Sequence, residues 1–281
     1  MKRYAVKKQE FVQLHDSAKT FLMTNAWDAG TARILEGLGF EALATTSAGL
    51  AFSLGLRDSS GSLARDQVLE NASLIVDATT LPVSADLENG FGESPDECAK
   101  TIREAARIGL CGGSIEDATG DPKHPVYSFN LAVERIYAAV EAKPSESFIL
   151  TARADNLICG EGDLDDTIRR LMAFEQAGAD VLYAPGLADY EAVKTVCAAV
   201  SSPVNVVVGL SDTNYSVEDL SNAGVRRVST GGSLARAALG EVIRAACELH
   251  DQGTYHYAER AISDSDAAAK MRPTSKVPFI N

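Results

Sequence analysis

A closed (β/α)8 barrel of the TIM type, extended by an additional C-terminal helix, is the fold this sequence predicts. Three observations lead to it. Short β-rich apolar runs alternate with amphipathic helical stretches from end to end. About eight such units fill 281 residues, close to the roughly 250 that this barrel usually takes. The first run passes into "NAWDAGTAR" with no GxGxxG, so the phosphate loop of an open doubly wound sheet is not there.

In chain order the strand candidates are "FLMTN" (21–25), "ALATT" (42–46), "PVSADLE" (82–88), "GGSIED" (112–117), "FILTARAD" (148–155), "VLYAPG" (181–186), "VNVVV" (204–208) and "RRVSTG" (226–231). Helical patterns such as "SPDECAKTIREAARIG", "LDDTIRRLMAFEQAGAD" and "DYEAVKTVCAAV" lie between them. Several helices open on Ser or Asp in a capping position and stop at glycine, with Gly109, Gly178 and Gly224 each shortly before the next strand. No Pro/Ser-rich linker or shift in composition divides the chain, so residues 1–281 are expected to form one barrel domain. The stretch "YAERAISDSDAAAKM" belongs to a helix and tail over about 250–281, beyond the barrel and suited to packing on a partner subunit.

Composition narrows the function classes. A formal net charge of −13 excludes the positive footprint that nucleic-acid binding needs. It does not exclude an anionic small substrate, because a few arginines and a divalent cation reverse the local field. Apolar runs stop well short of the roughly 20 residues that span a bilayer. The N-terminus lacks the apolar core of a secretory leader. Five scattered cysteines without CxxC spacing suit reduced thiols and a cytoplasmic location.

In a barrel of this kind, chemistry collects where strands end. Sorted by that rule, the polar residues form a crowd: Asn25, Trp27 and Asp28 after strand one; Thr46 and Ser47 after strand two, with Asp58 in the loop beyond. Asp86, Glu88 and Asn89 follow strand three, Glu116 and Asp117 strand four, Arg153 and Asp155 strand five, and Ser229 and Thr230 strand eight. Asn205 stands near the start of strand seven. One carboxylate at a strand end is ordinarily a helix cap or a turn residue. Four or more on successive strands repel one another in a shared cleft, and a hard dication relieves that repulsion. Magnesium fits such a donor set, with manganese as the alternative. Arg153, inside an apolar strand, needs an anion or a carboxylate to face. The polar loop "EDATGDPKHP" has the length of a lid, and it carries Lys123 and His124.

Together "NAWDA", "TTSAGLAFSLGLRDS", "SADLENGFG", "GGSIEDAT", "LTARADN" and "RRVSTGGSLARAA" resemble the isocitrate lyase/phosphoenolpyruvate mutase superfamily. Each motif alone is weak, whereas their order on successive strands is specific. The resemblance implies an α/β barrel that binds magnesium and a small 2-oxo or 2-hydroxy carboxylate, and that stabilises an enolate while a C–C or P–C bond breaks. It also implies a homotetramer that exchanges its last helix. On this sequence the resemblance makes Asp86 the direct metal ligand, and Asp58, Glu88 and Glu116 its water-mediated partners. Thr46, Ser47 and Ala48 receive the substrate carboxylate, Trp27 and Asp28 wall the pocket, and Arg153 meets substrate oxygens.

One departure matters. Superfamily lyases that release glyoxylate or pyruvate carry a KKCGH or KRCGH loop after strand four, whose cysteine is the acid or base. Here the loop reads "EDATGDPKHPVYSF", without cysteine. Lys123, which follows Pro122 as in the mutase loop, or His124 takes its place as proton carrier. The expectation is a magnesium-dependent lyase or decarboxylase acting on a small 2-oxo or 2-hydroxy (di)carboxylate. P–C bond chemistry on phosphonates and a non-catalytic carboxylate-binding barrel stand as the alternatives.

Overall fold

The computed structural model describes residues 2–58, 61–144, 148–210 and 215–272. Eight parallel strands close into a barrel in sequence order: β1 (Phe21–Ala26), β2 (Leu43–Thr45), β3 (Val83–Asp86), β4 (Gly112–Glu116), β5 (Ile149–Arg153), β6 (Val181–Tyr183), β7 (Val204–Val207) and β8 (Arg227–Ser229). Closure is made by β8 on β1, with Phe21 opposite Arg227 and Met23 opposite Ser229. All eight predicted strands are present, and the barrel expectation holds.

The helices outside the ring are α1 (Lys2–Asp16), α2 (Ala29–Gly37), α3 (Ser47–Ser53), α4 (Arg65–Ala78), α5 (Pro95–Arg107), α6 (Phe129–Glu141), α7 (Leu164–Gln176), α8 (Tyr190–Ala199), α9 (Val217–Asn222), α10 (Ser233–Gln252) and α11 (Asp264–Lys270). Their ends follow local chemistry. Asp163 and Asp189 accept the N–H groups that open α7 and α8. Gly109, Gly178 and Gly224 take φ of 92°, 98° and 98° before the next strand, a backbone state that other residues reach only at a cost.

The main core lies between ring and helices. Leu43, Val83, Leu150 and Leu182 of the strands meet Ile75, Ile102, Leu171 and Phe174 of the helices, all buried. A second cluster closes the end of the barrel where the strands begin. There α1, an element the sequence reading did not place, sets Phe11 against Phe21, Met23, Ile149 and Val181. Beyond α10 the chain does not run on as one helix. Gly253, at φ 65°, ends α10, and a 3-10 turn (His256–Arg260) and α11 follow. Arg33 of α2 donates to the Met271 carbonyl after α11. Among the described residues no helix is long and apolar enough to cross a membrane.

Candidate active site

A cavity of about 680 Å³ opens among the loops that follow the strands. Asp58, Asp86, Glu88, Glu116, Arg153 and Asp155 line it on one side, with Thr46, Ser47 and Ala48. The strand-end rule therefore gathers the four expected metal-site carboxylates, the expected arginine and the Thr46–Ala48 segment around one space.

Asp86 ends β3, and its Oδ2 accepts the N–H of Ser47 at 3.1 Å and the Ser47 hydroxyl at 2.7 Å. Its Oδ1 lies 3.3 Å from Nη1 of Arg153. The same nitrogen stands 3.1 Å from Glu116 Oε2, and Arg153 Nη2 is 2.8 Å from Asp155 Oδ2. Burial works against the charge of Arg153, but Asp155 and Glu116 outweigh it and hold its pKa well above the usual value. The acidic wall goes the other way. Burial, and then the Asp86 charge, pushes Glu88 up to about 7. Burial also raises Glu116 well above the carboxylate range, against the pull of Arg153. Desolvation and the charge of Asp86 raise Asp58 in the same direction. This wall gathers more carboxyl groups than one guanidinium balances in ionised form.

Local backbone confirms that the wall is built at a cost. Glu88 sits at φ 47° and Phe91 at φ 61° in the turn after β3. The left-handed region costs an L-residue roughly 1–2 kcal/mol. Such outliers cluster at functional sites. In the first turn of α3, Gly49 admits no side chain, since a Cβ there would meet Thr46 Cγ2 at 2.7 Å and Trp27 Cβ at 2.8 Å. That close approach holds the Ser47 turn beside Asp86.

Other expected residues lie elsewhere. Asp28 caps α2: its Oδ1 accepts the Thr31 N–H at 2.7 Å, and Thr31 Oγ1 accepts from the Asp28 N–H at 3.2 Å. Trp27 backs Gly49, and neither Trp27 nor Asp28 is among the residues around the cavity. Asn205 faces a separate space of about 60 Å³ deeper in the barrel, accepting from Arg227 at 2.8 Å and donating to Ser229 at 3.0 Å. Lys123 and His124 are exposed in a flap pinned by a bridge between Ala118 and Val126, and their N–H groups both bond Asp121. Their side chains do not line the cavity.

Sequence reasoning assigned no role to three features. Tyr183, at the end of β6, is half-buried and lines the cavity, with Arg153 5.1 Å from its ring centre. Burial keeps its phenol protonated. Asp155 is held from behind: its N–H donates to Asp117 Oδ1 at 2.7 Å, and Asp117 Oδ2 pairs with Arg170 at 2.9 Å. The third feature is an apolar wall made by Ile158, Leu187, Val206, Val208, Leu210 and Tyr215. For Asp155 the only signal was its place at a strand end, and for the apolar wall there was none.

Comparison with known proteins agrees with this architecture. A family model described as phosphoenolpyruvate phosphomutase matches residues 11–250. The chain is 32% identical to 2-methylisocitrate lyase of Shewanella oneidensis, over 78% of this chain and 76% of that one. A candidate lyase/mutase from Burkholderia cenocepacia J2315 superposes with TM-score 0.92 at 50% identity, covering 95% of this chain and 96% of that one. Oxaloacetate acetylhydrolase in complex with its product oxalate superposes with TM-score 0.84 at 25% identity, over 94% and 93%.

Proposed function

The chain belongs to the phosphoenolpyruvate phosphomutase family, and from that premise we propose that it is a magnesium-dependent carbon–carbon lyase acting on a small 2-oxo or 2-hydroxy carboxylate through an enolate. One observation carries the reading: Asp86, Glu88, Glu116 and Asp58 share a cavity with a single arginine.

The donor set suits the metal. All four candidates are carboxylates, the hard oxygen ligands that magnesium or manganese takes. Among the described residues no three His, Cys, Asp or Glu side chains converge closely enough to hold an ion unaided. That spacing suits an ion that keeps most of its waters, held directly by Asp86 and through water by Asp58, Glu88 and Glu116. When bound, magnesium supplies Lewis-acid polarisation of the substrate's 2-oxygen.

The chain's own residues do the remaining work. The Thr46–Ala48 turn at the start of α3 seats the carboxylate, with Ser47 already locked to Asp86. Arg153 faces the oxygen on which negative charge develops, in a cleft where its charge acts at short range. Asp155 and Asp117 fix the direction of that guanidinium. Tyr183 keeps its proton and donates a hydrogen bond from the cavity lining. Lys123 or His124 carries the proton when the flap folds over the mouth. On α10, Val242 and Ile243 are about two-thirds exposed, a face suited to a second copy of the chain within a homotetramer.

The test is an acid panel with and without chelator. Release of a 2-oxo acid that stops with EDTA and returns with magnesium supports the reading. Turnover indifferent to chelator overturns it. Turnover confined to phosphonopyruvate replaces it with P–C chemistry. Metal-dependent oxalate binding without turnover on any acid replaces it with a binding protein.

A further inference from the structure

The two sides of the main cavity differ in kind. Among the described residues, every charged side chain that lines it belongs to the strands and loops from β2 to β5. Across from them, the loop after β5, the loop after β6, and β7 with its following loop present Ile158, Leu187, Val206, Val208, Leu210 and Tyr215. Ile158 is 54% exposed and Leu210 41% exposed at the lip, so this wall puts apolar surface into water. The contact of Ile158 with the turn after β6 is close enough that a Cβ on Gly186, at φ 87°, would lie 2.6 Å from Ile158 Cγ2.

We infer that the substrate is a monocarboxylic 2-oxo or 2-hydroxy acid whose far end is an apolar chain or ring lying along the Ile158–Leu210 wall. This rests on the reaction proposed above and narrows it from carboxylates in general. Size is the first reason. About 680 Å³ falls in the range of roughly 300–1,000 Å³ that takes drug-sized ligands, and an acid of three or four carbons leaves most of it to water. Charge is the second. Among the described lining residues Arg153 is the one side-chain cation, and it is already shared by Asp86, Glu116 and Asp155. A second carboxylate on the substrate would face the apolar wall with no cation to meet it. Anchoring is the third. Gly231 and Gly232, where α10 begins, adjoin the Thr46–Ala48 turn, and a Cβ on Gly232 would lie 3.2 Å from that of Ala48. Both backbone segments that could receive an anion therefore converge on one seat.

Calorimetric titration of the wild-type protein in saturating magnesium tests this with pyruvate, 2-oxobutanoate, 2-oxopentanoate, 4-methyl-2-oxopentanoate and phenylpyruvate, against oxaloacetate and oxalate. Each methylene buried on the wall is worth about 0.8 kcal/mol, so Kd is expected to fall about fourfold per carbon along the straight chain. Oxaloacetate is expected to bind no tighter than pyruvate. Leu210→Lys and Ile158→Lys, both at the exposed lip, should flatten the chain-length series and tighten oxaloacetate. If oxalate and pyruvate bind with magnesium while Kd stays flat with chain length, or oxaloacetate binds tighter than 2-oxopentanoate, the apolar substrate class falls and the proposed reaction stands. If neither oxalate nor pyruvate binds in a metal-dependent way, the proposed reaction falls, and this inference with it.

Discussion

Two arginines point into the same barrel and live under opposite conditions. Arg153, at the end of β5, is surrounded by Asp86, Glu116 and Asp155, and its pKa is raised. Arg227, at the start of β8, is bonded to Asn205, Thr151 and His15, all neutral groups, and burial lowers its pKa to about 9. The lower end uses a cation as a hydrogen-bond hub that ties β5, β7, β8 and α1 together. The upper end gathers more carboxylate than its cation balances. A surplus of one sign in a buried space stabilises nothing by itself, so the difference between the two ends fits the dication proposed above for the mouth.

The largest effect is expected from Asp86→Ala. If the mouth's charge exists to hold a dication, turnover should fall by on the order of 10³-fold, the equivalent of several kcal/mol of charge stabilisation. Circular dichroism should show the fold retained, because only a partly exposed group at a strand end is removed. Full activity in this variant would end the comparison, since the surplus would then have no task. Next in size is Arg153→Met, which strips the carboxylates of their one guanidinium. It should destabilise the metal-free protein by about 3–5 kcal/mol, as loss of one partner from a buried pair does. Magnesium should raise the melting temperature of this variant more than that of the wild type. Arg227→Met leaves only neutral partners behind and should cost about 1–3 kcal/mol, with no response to magnesium. Equal magnesium responses in the two variants would contradict the assignment of different tasks to the two ends.

Much of this contrast was written in the sequence, and the part that was not has a physical reason. Asp86, Glu116 and Arg153 were legible because an apolar run that ends in a charge has one place to put it in a barrel, the rim. The barrel itself was legible from the alternation of period two and period 3.6. Arg227 gave no such signal. It begins a strand, and its buried partner His15 lies 212 positions away on α1, a helix the sequence reading left unassigned. Tyr183 and the Leu210 wall were equally silent, since an aromatic or aliphatic residue at a strand end looks the same whether it packs inward or faces a ligand. Asp28 misled for a different reason. A residue that ends a strand in this fold also begins a helix, and pattern alone does not separate a cap from a pocket wall.

The lower end makes its own prediction about pH. His15 is buried between Phe11 and Phe21, its Nδ1 lies 2.8 Å from the Phe11 carbonyl, and its Nε2 faces Arg227 at 3.3 Å. That arrangement suits neutral imidazole, with Nδ1–H donating and Nε2 accepting. Burial first, then the Arg227 charge, lowers its pKa from 6.5 to about 3. Between those values the unfolded chain takes up a proton that the folded chain refuses, so this contribution is full above pH 6.5 and is lost as the pH falls toward 3. From pH 7 to pH 5 the loss should be on the order of 2 kcal/mol. Urea titrations at the two pH values should show a steeper decline for the wild type than for His15→Gln. Parallel declines would mean that His15 does not carry the acid sensitivity of the lower end.

Asp28 tests the boundary between the two kinds of residue, with the smallest effect. Its side chain accepts the Thr31 N–H in a reciprocal cap at the start of α2, and it stands outside the cavity. The resemblance would make it part of the pocket wall, whereas the geometry makes it a helix cap. Loss of an N-cap costs about 1 kcal/mol and leaves distant chemistry alone. Asp28→Ala should therefore lower stability by that amount in urea, with kcat/KM within about twofold of wild type, and Asp28→Ser should restore the stability because serine caps as well as aspartate does. A tenfold fall in kcat/KM in the serine variant, with stability restored, would move Asp28 into the mouth and extend the charged half of the cavity to β1.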